Sequence, residues 1–97
     1  MNNNNILEIA KDLKKIEDNS VIIGGQLLLK KIEPNIAITQ VNSVKKELQK
    51  INNNVNLNKD SITEKNFEYL NKYINKDNEY LDKVVLFASE LLASKQK

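Results

Sequence analysis

The chain has 97 residues, with 15 basic and 13 acidic side chains and a formal net charge of +2. It contains no cysteine, histidine, tryptophan or arginine. This length indicates one domain, and the missing residue types exclude disulfides, the common transition-metal sites, and histidine or thiolate catalysis. Without arginine, bidentate recognition of phosphate or guanine is also excluded. We therefore expect no cofactor, no metal and no enzymatic activity.

The first predicted helix follows a polar N-terminal tail, residues 1–5, in which Asn5 is a candidate N-cap. Its apolar residues recur on one helical face, at Ile6, Ile9, Ala10, Leu13 and Ile16. The polar run 18–20 interrupts this face, and Ser20 is a candidate cap for the next element. The pattern therefore predicts that the first helix ends at this run.

Residues 21–32 contain the two glycines of the chain, Gly24 and Gly25, between two apolar triplets. Read as strands, the triplets would form a hairpin. Read as a helix, the segment would lose about 1 kcal/mol at each glycine relative to alanine. We favour the helix, because an isolated two-stranded hairpin is marginally stable. Since apolar residues lie nearly all round it, we expect it to be the most buried element.

Pro34 ends this segment and suits the first turn of the next helix, which we predict over 35–52. The core face of that helix is an apolar seam with spacings that alternate between three and four residues, at Ala37, Val41, Val44, Leu48, Ile51 and Val55. The asparagine-rich stretch 53–60 is predicted to be a turn.

The clearest helical signal is a second seam with the same alternation, at Phe67, Leu70, Ile74, Asp77, Leu81, Val84, Ala88 and Leu91. Ser61 and Glu64 match a capping box. Because the seam keeps its phase across 75–78, we predict one helix over 61–94 rather than two. Asp77 is the polar member of the seam. It is either a solvated kink or N-cap, which we favour, or an ion-pair partner of a lysine, or a buried group that fixes register.

Together these elements predict an all-α fold, in which residues 1–97 form a small antiparallel bundle of three to four helices with a long C-terminal helix. The helix 35–52 is only about half as long as the helix 61–94. The N-terminal helices or a second chain must therefore cover the rest of the C-terminal helix.

Four aromatic residues lie beside the second seam, at Tyr69, Tyr73, Tyr80 and Phe87. The rings either widen the core face, with the tyrosine hydroxyls reaching water, or form a surface that binds a partner, because tyrosine is enriched at binding hot spots. They are our candidate partner-binding residues.

A helix-turn-helix alternative spans 27–48, with Pro34 in the joint. The second helix would present polar residues to DNA, at Thr39, Gln40, Asn42, Ser43, Lys45 and Lys46. The weak net charge and the absence of arginine argue against it. Nucleic acid is therefore a disfavoured partner that remains open.

Two faint family resemblances cover about a quarter of the chain each. The stretches YINKD at 73–77, LDKVV at 81–85 and ASEL at 88–91 resemble the second helix of small ESX-type secretion proteins. That resemblance implies a helical hairpin that pairs with another helical protein, although the chain lacks a Trp-x-Gly turn. Residues 51–74, with VNL at 55–57, are similar to the later part of bacteriocin immunity proteins. That resemblance implies a small cytoplasmic four-helix bundle.

We therefore expect a non-enzymatic protein–protein interaction module that binds another protein or a second copy of itself. The first residues lack the charged start and apolar core of a signal peptide. No apolar run approaches the roughly 18 residues of a membrane span. A cytoplasmic location is the simplest expectation.

Overall fold

The computed structural model describes the backbone of residues 3–95 and the side chains of residues 6–94. Its elements are three α-helices and one 3-10 turn, in the order α1 (Asn3–Leu28), α2 (Pro34–Leu57), a 3-10 turn (Lys59–Ser61) and α3 (Glu64–Lys95). Residues 3–95 contain no strand, so the all-α prediction is confirmed and the hairpin alternative at 21–32 is wrong.

Each helix packs against the other two, and together they enclose one core in a molecule of 53 × 17 × 17 Å. The long dimension reflects α3, whose 32 residues span about 48 Å at 1.5 Å per residue. The buried apolar residues include most of the predicted seam residues, Ile62 between α2 and α3, and five residues of α1, at Ile9, Leu13, Ile16, Ile23 and Leu27. The seam residues Ile51, Phe67 and Leu91 are only partly buried and pack against this core.

The first helix begins earlier and continues further than predicted. Residues 3–5 of the predicted tail are already helical, so Asn5 lies inside α1 and is not its N-cap, while residues 1–2 lie outside the described range. The predicted break at 18–20 is also wrong, because α1 runs through it. Ser20 is buried, and its hydroxyl donates a hydrogen bond to the Ile16 carbonyl oxygen at 2.6 Å. This bond satisfies the hydroxyl within the helix, so that serine can occupy a core position.

The end of α1 is a Schellman motif. The backbone amide of Lys31 donates to the carbonyl oxygen of Gln26 at 2.8 Å, and the amide of Lys30 donates to the carbonyl oxygen of Leu27 at 3.1 Å. Lys30 adopts the left-handed conformation with φ of 60°, at a position that usually holds glycine. The helix predicted to reach residue 32 therefore ends at Leu28.

The second helix is longer than predicted, because residues 53–57 of the expected asparagine-rich turn are helical. Val55 explains the extension, since it continues the α2 seam and is fully buried. The side-chain amide of Asn58 donates to the Asn54 carbonyl oxygen at 2.8 Å, and the backbone amide of Asn58 donates to the same oxygen at 3.2 Å. The turn is thus confined to residues 58–63.

The third helix is continuous across 75–78, which confirms the prediction of one long helix. It begins at Glu64 rather than Ser61, and Ser61 lies in the 3-10 turn. The backbone amide of Asn66 donates to the Thr63 hydroxyl at 3.2 Å, so Thr63 is the N-cap. The predicted capping box of Ser61 with Glu64 is therefore wrong.

Candidate interaction surface

The four predicted partner-binding residues, which we call the aromatic stripe, lie along α3 at the edge of the core. Their exposed fractions range from 36% to 59%. Tyr69, Tyr73 and Tyr80 lie on the side of α3 that faces α1. The stripe is therefore available to solvent while part of each ring is covered by the chain itself.

Tyr69 and Tyr73 form one wall of a cleft of about 190 Å³ between α1 and α3. The two ring centroids are 5.0 Å apart and the ring planes are inclined by 54°. The neighbouring Tyr69 hydroxyl raises the pKa of Tyr73, and burial and the negative charges of Glu17 and Asp77 act in the same direction. The Tyr73 hydroxyl therefore remains a hydrogen-bond donor at neutral pH. The cleft is smaller than the roughly 300 Å³ at which small-molecule sites begin.

Tyr80 lies against the backbone of α1 at Gly24. A Cβ at Gly24 would overlap the Tyr80 hydroxyl oxygen and lie 3.2 Å from ring carbon Cζ. Glycine at this position therefore permits the close approach of the ring. The next residue, Gly25, differs, because a Cβ there would have no neighbour within 4 Å.

A second apolar surface lies on α1 and on Leu29, the residue directly after it, and the sequence interpretation missed it. Its residues, which we call the α1 outer face, are Val21, Ile22, Gly25, Leu28 and Leu29. The four large side chains are between 54% and 68% exposed. At 100° per residue these five positions cluster on the side of α1 opposite its buried residues.

The expectation that 21–32 is the most buried element is therefore wrong. Of its large apolar residues, only Ile23 and Leu27 are buried. A signal was present in the sequence, because Ile16, Ser20, Ile23 and Leu27 continue the α1 seam at spacings of three and four residues. Once Ser20 is accepted as a core residue, the phase of the seam places the other apolar residues outside.

The aromatic stripe and the α1 outer face border each other. Val21 precedes Gly24 by three residues and Leu28 follows it by four, so both are its neighbours on the helix surface. Tyr80 of the stripe covers Gly24 itself. The two groups thus form one apolar and aromatic region across two helices, which we call the α1/α3 surface.

Asp77 lies beneath this region, at the centre of α3. It is only 7% exposed, and its Oδ2 atom has no hydrogen-bond partner within the described range. Burial raises the pKa of Asp77 to about 6, and the negative charge of Glu17 adds to the shift. The favoured interpretation as a solvated kink or N-cap is wrong, because the residue is buried inside a continuous helix.

The buried polar residues Ser20 and Asp77 lie at the same level of the molecule. Ser20 lies between Glu17 and Gly24 along α1, and Asp77 lies between Tyr73 and Tyr80 along α3. Glu17 lies near Tyr73, and Gly24 lies near Tyr80, so the two buried residues are at the same level. No ion pair of Asp77 with a lysine is present among residues 6–94. The third interpretation, a buried group that fixes register, stays a prediction.

The polar residues of the DNA-binding alternative lie on α2. Lys45 forms an ion pair with Asp82 of α3. The Thr39 hydroxyl donates to the Asn35 carbonyl oxygen at 3.1 Å. These two side chains therefore have partners within the chain, whereas Gln40, Asn42, Ser43 and Lys46 of the same set are exposed. The DNA-binding alternative stays a disfavoured prediction.

Within residues 3–95, no helix combines the length and apolarity needed to cross a bilayer. Residues 6–94 bring together no group of three or more histidine, cysteine, aspartate or glutamate side chains able to hold a metal ion.

Comparison of the chain with protein-family models, with curated proteins and with solved structures gave no significant match in any of the three.

Proposed function

We propose that the protein is a non-enzymatic interaction module that binds another polypeptide through the α1/α3 surface. The observation that carries this proposal is the α1 outer face, where four large aliphatic side chains are more than half exposed, three on α1 and one on Leu29 directly after it. Contiguous exposed apolar patches that are larger than those of an ordinary monomer mark interaction sites. The adjoining tyrosines supply large side chains with polar tips, which are typical of binding hot spots.

The helix directions form part of the same proposal. Short connections at 29–33 and 58–63 favour antiparallel packing of consecutive helices. Glu17 lies near Tyr73 and Gly24 near Tyr80, so residue numbers rise together along α1 and α3. These contacts support an up-down-up bundle in which α1 and α3 run parallel and α2 runs against both.

The difference in helix length no longer argues for self-association. With 24 residues, α2 reaches along three-quarters of the 32 residues of α3, more than the sequence predicted. The case for a partner therefore depends on the exposed surface rather than on an uncovered part of α3.

The two family resemblances remain narrower versions of this proposal. An ESX-like or immunity-like accessory protein would also act by binding another polypeptide. The three described α-helices are one more than a helical hairpin and one fewer than a four-helix bundle. A cytoplasmic location remains a prediction, consistent with a cysteine-free chain.

Nuclear magnetic resonance of the ¹⁵N-labelled protein tests the proposal. The labelled chain is titrated with unlabelled clarified extract of the producing organism and, separately, with its own unlabelled copy. We expect backbone amide signals of the α1/α3 surface to shift or broaden in at least one titration, and those around the exposed Leu57 to remain unchanged. Unchanged spectra in both titrations would contradict the proposal.

Titration of the labelled protein with a short DNA duplex at low salt tests the helix-turn-helix alternative. A DNA-binding protein would show shifts on α2 that weaken as the salt concentration rises. We expect no shifts with DNA.

A further inference from the structure

We propose that the cleft between α1 and α3 receives a basic side chain, lysine or arginine, of the polypeptide partner. This inference rests on the proposed function and names one group that the partner supplies. Three features of the described residues carry it, namely a wall made of two tyrosine rings, a partly buried carboxylate without an ion pair, and a volume that fits one side chain.

The first feature is the wall formed by Tyr69 and Tyr73. Their ring centroids are 5.0 Å apart and their planes are inclined by 54°, so the rings are tilted rather than stacked face to face. The face of an aromatic ring attracts a cation. Among residues 6–94 the cation–π contact is that of Lys59 with Phe67, so no ammonium group of the described chain covers either tyrosine. The wall is therefore open to a cation from outside.

The second feature is Glu17, on the α1 side of the cleft. Its side chain is partly buried, and it forms no ion pair within residues 6–94. Lys14 lines the same cleft, but its ammonium nitrogen lies 3.2 Å from Asp18. The negative charges of Glu17 and Asp77 both raise the pKa of Tyr73, so these carboxylates make the electrostatic potential at its hydroxyl negative. A carboxylate that is partly removed from water favours a cationic partner.

The neighbouring lysines of α3 lie outside the cleft. Lys72 comes directly before Tyr73 and Lys76 follows it by three residues, but both line a separate groove of α3 next to Phe67. Among the residues that line the cleft, Glu17 is therefore the one whose charge is left without a counter-charge. Charge complementarity then selects a cation as the occupant.

The third feature is the size of the cleft. Its volume is about 190 Å³, and Ala10, Leu13 and Leu70 complete its apolar lining. In another protein, a cavity of about 150 Å³ holds one benzene molecule. The cleft therefore fits one side chain rather than a larger ligand. A lysine or arginine side chain matches it, because the methylene groups pack on apolar surface while the head remains charged.

Nuclear magnetic resonance of the full chain with amino-acid probes tests the site. The ¹⁵N-labelled protein, with ¹³C-labelled tyrosine rings, is titrated with N-acetyl-lysine amide and with N-acetyl-arginine amide. The corresponding norleucine and citrulline amides are the neutral controls, at matched ionic strength. We expect the ring signals of Tyr69 and Tyr73 to shift with at least one basic probe, with a dissociation constant of roughly 1–10 mM. Its neutral control should bind at least about tenfold more weakly.

Variants of the lining residues locate the bound cation. Glu17→Gln should weaken binding of the basic probe about fivefold or more, because it removes the carboxylate. Glu8 lies nine residues earlier, on the opposite side of α1, so Glu8→Gln is the charge-matched control and should bind like the wild type. Tyr69→Leu keeps the wall apolar but removes one ring face, and it should also weaken binding. Thermal unfolding of each variant checks that lost binding does not result from unfolding.

Fractions of the cell extract distinguish a polypeptide from a free amine. Extract that a dialysis membrane retains should shift the ring signals of Tyr69 and Tyr73 in the wild type, and should shift them less in Glu17→Gln. A response confined to the material that passes the membrane would show that the site takes a free amine, and would overturn the polypeptide source.

Two results would overturn the inference, namely basic probes that bind no more tightly than their neutral controls, or binding that is insensitive to Glu17→Gln. If the basic probes fail while signals of the α1/α3 surface still respond to the retained extract, only the cation site is lost. A chain that responds neither to the extract nor to its own copy would overturn the proposed function as well.

Discussion

The hydroxyl of Tyr80 occupies the space that a side chain at Gly24 would fill. A Cβ at Gly24 would overlap the hydroxyl oxygen and lie 3.2 Å from Cζ. The contact joins α1 to α3. It gives Gly24 a packing role that the adjacent Gly25 lacks.

Alanine substitutions at the two glycines should therefore have different effects. Gly25→Ala should stabilise the protein by roughly 0.5–1 kcal/mol, the usual advantage of alanine over glycine in a helix. Gly24→Ala should lose that gain, because the new methyl group displaces the Tyr80 ring. Urea unfolding at low protein concentration measures both values, and combining Gly24→Ala with Tyr80→Phe should restore part of the gain. Equal effects at the two positions would contradict the close approach.

Asp77 should make folding stability depend on pH in a defined direction. Burial raises its pKa in the folded protein to about 6, from the ordinary value of 3.8 for an aspartate. The folded state therefore holds this proton more tightly than the unfolded state does. The stabilisation due to the proton is complete below pH of about 4, and it is lost as the pH rises through about 6.

Asp77→Asn keeps the shape of the side chain and removes this titration. At pH 7 the variant should be more stable than the wild type by roughly 1–3 kcal/mol, and near pH 3 the difference should disappear. Thermal unfolding of both proteins across this pH range gives the comparison. A variant that is less stable at pH 7 would show that the carboxylate has a partner in the folded state.

Ser20→Ala distinguishes a continuous α1 from two helices. If Ser20 were an N-cap, its replacement by alanine would cost about 1 kcal/mol. Within a continuous helix, alanine has the higher propensity, and only the bond from the Ser20 hydroxyl to the Ile16 carbonyl oxygen is removed. We therefore expect a stability equal to the wild type or higher by up to about 0.5 kcal/mol, as measured by chemical unfolding.

The start of α3 gives a similar test. Thr63→Ala should destabilise the protein by about 1 kcal/mol, because the Asn66 amide loses the hydroxyl that accepts its hydrogen bond. Ser61→Ala, two residues earlier, should change stability by less than about 0.5 kcal/mol. If Ser61→Ala destabilised the protein more than Thr63→Ala in an unfolding experiment, the result would support the capping box predicted from the sequence instead.

Glycine in place of Lys30 should stabilise the end of α1. Lys30 adopts a left-handed backbone conformation, which costs a residue with a Cβ roughly 1–2 kcal/mol. Glycine relieves that cost but loses more entropy on folding, so the expected net gain of Lys30→Gly is about 0.5–1 kcal/mol. Lys31→Gly is the matched control, since Lys31 does not have a positive φ. A gain at Lys31 and none at Lys30 would contradict the Schellman motif.

The phase of an apolar seam proved to be the most reliable signal in this sequence. It predicted a continuous α3 through Asp77, against the local polar residues of 75–78. The same reasoning applied to α1 would have carried the helix through Ser20. The sequence interpretation instead treated 18–20 as a break, because serine, asparagine and aspartate favour caps over helix interiors when they are considered alone.

The candidate surface could be predicted only in part. The aromatic stripe is visible from its position beside the α3 seam, and the structure exposes all four of its side chains. The α1 outer face was hidden by composition, since a helix that is apolar nearly all round resembles a buried one. In the structure α1 packs against two helices, α2 and α3, and this packing leaves one side of α1 exposed. The sequence alone does not show which side that is.

Site-specific photo-crosslinking in the producing cell tests the central claim most directly. A benzoylphenylalanine in place of Ile22, on the α1 outer face, is compared with one in place of Leu57, which is 85% exposed and lies outside it. We predict a discrete protein adduct from position 22 and none from position 57. Failure of position 22 to form an adduct, or the same products from both positions, would contradict the claim that this chain works by binding a polypeptide there.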